Sequence, residues 1–154
     1  YYIMGSFRRL QLEEVRQICK DDPVRPYIEP EWRVNNNLKG MFEYKEGSKV
    51  SYMCYAMCAD VPESDFDLFL MSREHLVDHD PTVAVFYTIW SNDGIGWKAI
   101  KSLPEYIKQE HPQAKRFVTL SPLTAMATNF HMRNGAKCLN IGKKCQNFEY
   151  VVNL

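Results

Sequence analysis

The chain has 154 residues, 45% of them hydrophobic and 13% aromatic, with 19 basic and 19 acidic side chains. That length fits one domain, residues 1–154, with a core large enough to stand alone. A neutral balance gives no electrostatic footprint for nucleic acid. No apolar run reaches eighteen residues, so no membrane span is expected, and no charged segment leads into an apolar one as in a secretory leader.

Tyr1–Phe7 reads as a short strand, with Ser6 as cap of a helix over Arg8–Lys20, where Leu12, Val15, Ile18 and Cys19 recur at helical spacing. Asp21-Asp22-Pro23 stops that helix, and Pro23, Pro26 and Pro30 hold an irregular connection towards Trp32. Lys39–Tyr44 and Lys49–Ala59 flank Glu46-Gly47, a hairpin signal. The second of these runs is apolar on both faces, which predicts a central, doubly covered strand. Asp67–Met71 reads as a further short strand, and Ser72–Pro81 as irregular.

Val83–Trp90 is the strongest strand signal, β-branched or aromatic almost throughout. A turn follows at Ser91–Gly96, then a helix over Trp97–Glu110, in which Pro104 marks a kink or a second start capped by Ser102. Arg116–Leu120 is the next strand, Ala125–Asn134 the next helix with Gly135 as its stop, and Phe148–Val152 the last strand. The order predicts a mixed α/β or α+β layout with a right-handed crossover between the strands at 83–90 and 116–120.

Three features carry chemistry. Asp93-Gly94-Ile95-Gly96 opens a helix straight after the best strand, where free backbone amides and the helix dipole suit a diphosphate. Lys98 or Lys101 would add a cation. Trp90 and Trp97 bracket the turn, as channel lining or as core. His131 stands four residues before the Gly135 stop, either as a satisfied helix histidine or as a proton donor near neutral pH. Ser121 precedes Pro122, which makes a good cap and first-turn pair, but Thr124 is a competing cap. A straight helix from Pro122 would carry His131 roughly 15 Å away from Ser121. A start after Thr124 lets the two face one ligand.

The five cysteines include no CxxC pair and read as reduced thiols of a cytoplasmic protein. His75, Asp78, His79 and Asp80 fall in a polar run with no partner motif, and no metal is expected.

Several segments share one resemblance: Leu38-Lys-Gly-Met-Phe-Glu-Tyr44, Ala84-Val-Phe-Tyr-Thr-Ile89, Glu110-His-Pro112, Thr119-Leu-Ser-Pro122, Phe130-His-Met-Arg-Asn-Gly-Ala136 and Phe148-Glu-Tyr150. Together they resemble the C-terminal domain of malonyl-CoA decarboxylases, whose fold is that of the Gcn5-related N-acetyltransferases (GNAT). The resemblance implies a mixed central sheet whose parallel strands, Val83–Trp90 and Arg116–Leu120, splay apart to admit coenzyme A, with helices on the flanks. It implies His131, Ser121 and Tyr150 as catalytic candidates. It places the CoA thioester against Trp90, Ser91, Asn92, Gly94, Gly96, Trp97, Lys98, Lys101 and Thr124. The implied reaction converts a malonyl thioester to an acetyl thioester and CO2, the substrate carried on CoA or on a carrier protein's pantetheine arm. The alternatives are transfer of acetyl from acetyl-CoA to an amine, and a non-catalytic acyl-CoA-binding module.

Overall fold

The computed structural model of the chain describes residues 5–73 and 81–152. The order is β1 (Ser6–Arg9), α1 (Leu12–Ile18) with a 3-10 turn at Cys19–Asp21, α2 (Pro30–Arg33), β2 (Lys39–Glu46), β3 (Lys49–Cys58), α3 (Asp65–Met71), β4 (Val83–Ser91), α4 (Gly96–Glu110), β5 (Arg116–Thr119), β6 (Ser121–Pro122), α5 (Ala125–Arg133), β7 (Lys137–Ile141) and β8 (Cys145–Tyr150). The strands form one sheet in the order β1-β2-β3-β4-β5-β8-β6, with β7 added on β8. The pairing is antiparallel except between β4 and β5, which are parallel and joined through α4.

Alternation along β3 sends Met53, Tyr55 and Met57 to one core and Cys54, Ala56 and Cys58 to the other. The doubly covered central strand expected from its composition is therefore present. The first core is closed by α4, whose Ala99, Ile100, Leu103 and Ile107 are fully buried. The second is closed by α1, the residues around α2, and Leu68 of α3.

Four expectations need correction. Asp67–Met71 lies in α3 and is not a strand. Ser64 caps that helix by accepting from the Asp67 amide at 3.0 Å, Asp65 and Asp67 occupy its first turn, and Leu68 is its buried anchor. Ser6 does not cap the first helix, because residues 6–9 pair with β2 and Phe7 reaches the core there, stacking on Tyr106. The helix starts at Leu12, where Glu14 accepts from the Gln11 amide at 3.2 Å. Pro104 does not begin a second helix: α4 runs through it, since the packed face outweighs one lost hydrogen bond. The last strand is Cys145–Tyr150, and β7 lies before it, unexpected because all but one of its residues are exposed and give no alternation. His75, Asp78, His79 and Asp80 lie outside the described residues.

Candidate functional site

β4 and β5 pair over only four residues, Val83–Phe86 with Arg116–Thr119, and the last link is Leu120 N to Phe86 O at 3.0 Å. Beyond that point the strands part. On its other side β4 carries a bulge: Tyr55 faces Phe86 and Cys54 faces Thr88, so Tyr87 is the extra residue. Such a bulge bends the strand. β5 is followed by β6, which turns onto β8 at Gln146 and Cys145. A half-open cavity of about 980 Å³ fills the gap. Its wall is built from β4 beyond Phe86, Leu120 to Pro122, the first turn of α4, and the inner face of α5.

The wall contains Trp90, Ser91, Gly94, Gly96, Trp97, Ser121, Thr124 and His131, but not Asn92, Lys98 or Lys101. Ser91 and Asp93 pin the turn to the start of β3. The Ser91 hydroxyl donates to Val50 O at 2.9 Å and accepts from the Asp93 amide at 3.2 Å, while the Asp93 carboxylate accepts from the Val50 amide at 3.2 Å. Gly94 takes φ +71°, a conformation that disfavours any side chain. The first amides to bond within α4 are those of Lys98 and Ala99, both to Ile95 O, so those of Gly96 and Trp97 have no helical partner. Lys98 is drawn away by Glu46, 2.6 Å from its ammonium, and Lys101 lies over the Trp97 ring. The cation on the wall is Arg133, which sequence reasoning passed over although it lies two residues beyond His131 on the same helix.

α5 begins after Thr124, whose hydroxyl caps it by accepting from the Ala127 amide at 3.2 Å. That start brings His131 and Ser121 to the same cavity. They do not bond to each other among the described residues. Ser121 is 2.8 Å from the Thr119 hydroxyl, which itself accepts from the Phe148 amide at 3.1 Å. His131 is buried between Phe130 and Phe148, with Nδ1 2.7 Å from the Tyr150 hydroxyl. Burial lowers the imidazole pKa to about 4 and pushes the Tyr150 phenol up. Both are therefore neutral at neutral pH. When the phenol donates to Nδ1, the imidazole proton resides on Nε2, which has no protein partner among the described residues. Tyr150 is behind the histidine and outside the wall.

Among the described residues, the wall's ionisable side chains are His131, Arg133 and Tyr87. Among the described residues no three His, Cys, Asp or Glu side chains converge as metal ligands, and no helix is long and apolar enough to cross a membrane.

Among the described residues, one eight-stranded sheet whose single parallel pair parts beside a helix N-terminus defines a known architecture. The fold is that of the Gcn5-related N-acetyltransferases. A malonyl-CoA decarboxylase from Agrobacterium vitis superposes with a TM-score of 0.64 at 22% identity, over 80% of this chain and 35% of its own. Arabidopsis thaliana NAA60, solved with acetyl-CoA, gives 0.59 at 16% identity over 96% and 98%. The GNAT domain of S. lividans PAT gives 0.62 at 9% identity over 95% and 89%. The chain thus spans about a third of the length of the decarboxylase, and nearly all of the two GNAT proteins. No protein-family model matches the sequence, and no curated protein does. The resemblance read from the TLSP and FHMRNGA segments holds at the level of fold.

Proposed function

We propose that the chain is a CoA-thioester enzyme that converts a malonyl thioester to an acetyl thioester and CO2. The observation that carries this reading is a buried, neutral His131 at the wall of the cavity where β4 and β5 part, backed by the Tyr150 hydroxyl. In the reaction the bond from the α-carbon to the carboxylate breaks. Its electron pair passes into the thioester carbonyl to give an enolate, CO2 leaves, and one proton taken up from solvent adds to the α-carbon as the carbonyl re-forms, which completes the acetyl group. A neutral imidazole with its proton on Nε2 is a suitable donor to the enolate oxygen, and the Ser121 hydroxyl is a second. The weakly polar wall favours a step in which a localised carboxylate charge disperses. The Gly96 and Trp97 amides with Arg133 would hold the diphosphate.

A second reading is acetyl transfer to an amine. It is favoured by the likeness to NAA60 and to the PAT domain over almost the whole chain. There the amine nitrogen bonds to the acyl carbon and the C–S bond breaks; His131 gives its proton to the departing thiolate and takes up the proton that the amine sheds.

The test is separate incubation with malonyl-CoA and acetyl-CoA, followed by mass spectrometry of the products. Acetyl-CoA formed from malonyl-CoA, and lost in His131→Ala, supports the first reading. Inert malonyl-CoA with retained acetyl-CoA binding moves the assignment to the second. Binding without turnover of any thioester or acceptor leaves a binding module.

A further inference from the structure

The cavity is lined by residues from both faces of the sheet, Phe86 and Phe130 with the first core and Tyr87, Trp90 and Leu120 with the second. On the face of α4 and α5 its wall includes Gly96 of α4 and Phe130, which packs against the first core. On the opposite face it is bounded by Pro23 and Val24. These stand in the loop between Cys19 and Ile28, both members of the second core.

That loop is fixed by buried charge. One oxygen of Asp22 accepts from the amides of Val24 and Arg25, at 2.8 and 3.0 Å, and from the Thr88 hydroxyl at 2.8 Å. Its other oxygen accepts from Arg33 at 2.8 Å. Arg33 also donates to Ile28 O at 3.1 Å and to Arg25 O at 2.7 Å. Arg25 donates to Asp65 at 2.9 Å and to the carbonyl of Tyr87, the bulge residue. Asp22, Arg25 and Arg33 are 2%, 3% and 0% exposed.

Burying three charges to hold a loop is costly unless each is fully bonded, and here each is. The network ties the loop to Tyr87 and Thr88, the two residues of β4 just beyond the point where β5 leaves it. The strap is thus held at one height above the splay. A layer packs roughly 10 Å from a sheet, so about half of that separates the sheet's mid-plane from the strap's own side chains.

We infer that the Pro23–Val24 strap is the end stop of the acyl site, and that the Val24 side chain limits the acyl group to a short one of about two to four carbons. This rests on reading the cavity as an acyl-CoA site. A strap that were only a core cover would need no fixed relation to β4. A stop must keep its distance from the reacting carbonyl, and rigid attachment to the diverging strand achieves that. Thr88 gives its proton to Asp22, so its hydroxyl is left only an acceptor towards the cavity.

The experiment is calorimetric titration of the full chain and its Val24→Ala and Val24→Phe variants with CoA, acetyl-CoA, malonyl-CoA, butyryl-CoA and hexanoyl-CoA. Each acyl-CoA affinity is expressed relative to free CoA for the same variant. In the wild-type chain hexanoyl-CoA should fall at least tenfold below acetyl-CoA, since a methylene or two beyond a filled apolar pocket is discriminated by about that factor. Val24→Ala should recover most of that tenfold for hexanoyl-CoA. Val24→Phe should depress butyryl-CoA and then acetyl-CoA. A length profile that is the same in all three chains, with CoA still binding, overturns the strap's role and leaves the acyl-CoA reading intact. No binding of CoA or any thioester to the wild-type chain overturns both.

Discussion

The hydroxyl of Tyr150 lies 2.7 Å from Nδ1 of His131, and burial holds both groups neutral. The two residues are nineteen apart in sequence, the first on β8 and the second on α5, and the phenol reaches the imidazole from behind the cavity wall. With the phenol as the donor, the ring proton is held on Nε2.

The first consequence is a pH dependence of stability. The His131 pKa drops from an ordinary 6.5 to about 4 in the fold. Between these values the unfolded chain binds more protons than the folded one, so stability rises with pH and falls as the solution is acidified below 6.5. By pH 5 the loss is on the order of 2 kcal/mol from this residue. Burial lowers His111 in the same direction. Urea midpoints between pH 5 and 7 should therefore slope more steeply for the wild-type chain than for His131→Leu, and equal slopes would contradict the burial of a neutral imidazole.

Removing the phenol oxygen separates orientation from packing. Tyr150→Phe keeps the ring and leaves Nδ1 without its partner, at a cost of about 1 kcal/mol. Long-range nitrogen–proton NMR of the imidazole should show one tautomer in the wild-type chain and a mixture in the variant. A single unchanged tautomer would mean that the hydroxyl does not orient the ring.

The Asp22–Arg33 pair, 2.8 Å apart and with both side chains at 0% exposure, is the strongest single point of the strap. Arg33→Met strands the Asp22 carboxylate and should destabilise the fold by about 3–5 kcal/mol. Adding Asp22→Leu to it should recover part of that loss, because no uncompensated charge then remains. Thermal unfolding of the single and double variants is the measurement.

The two turn glycines should respond differently to a methyl group. At Gly94 a Cβ meets nothing within 4 Å but the backbone is at φ +71°, so Gly94→Ala should cost about 1–2 kcal/mol through strain alone. At Gly96 a Cβ would meet the Phe130 ring at an ordinary 3.6 Å, and Gly96→Ala should leave stability unchanged. Denaturant midpoints of the two variants should be separated by that amount.

The thiols should divide in a similar way. Cys138 is exposed on β7, while Cys19, Cys54, Cys58 and Cys145 are buried and none is in a disulfide. Desolvation raises Cys54 to about 11 and Cys58 to about 12. Titration of the folded chain with a thiol reagent should give one fast equivalent, and a second fast equivalent would show that a buried thiol is reached from solvent.

The sheet was legible in the sequence because its strands follow rules of alternation and composition. Both faces of β3 had to be covered, and β4 announced itself by branched and aromatic residues. β7 was not legible, since an exposed edge strand has no apolar period. The helix at Asp65–Met71 was not legible because Leu68-Phe-Leu-Met71 is a short apolar run that suits a strand or a helix alike, while the deciding signal was Ser64 as cap. At the site, Ser121 and His131 were found by local motif and do line one cavity. What the motif could not give was which atom each would bond, since Thr119 and Tyr150 come from other strands. Arg133 and the strap were missed for a related reason. One is a surface arginine until α5 turns it to the cavity, and the other is a proline-rich connection until its own Asp22 and Arg25 are locked by Arg33, Asp65 and Thr88.

The four-residue pairing between β4 and β5 has a mechanical meaning. The sheet is two leaves bound along a short seam, one leaf built from β1 to β4 and the other from β5 to β8, with α4 as the spine between them. A ligand lying in the open part of the seam would touch both leaves at once and act as a stitch, so occupancy should slow the exchange of amide hydrogens at Arg116–Thr119 more than anywhere in the first leaf.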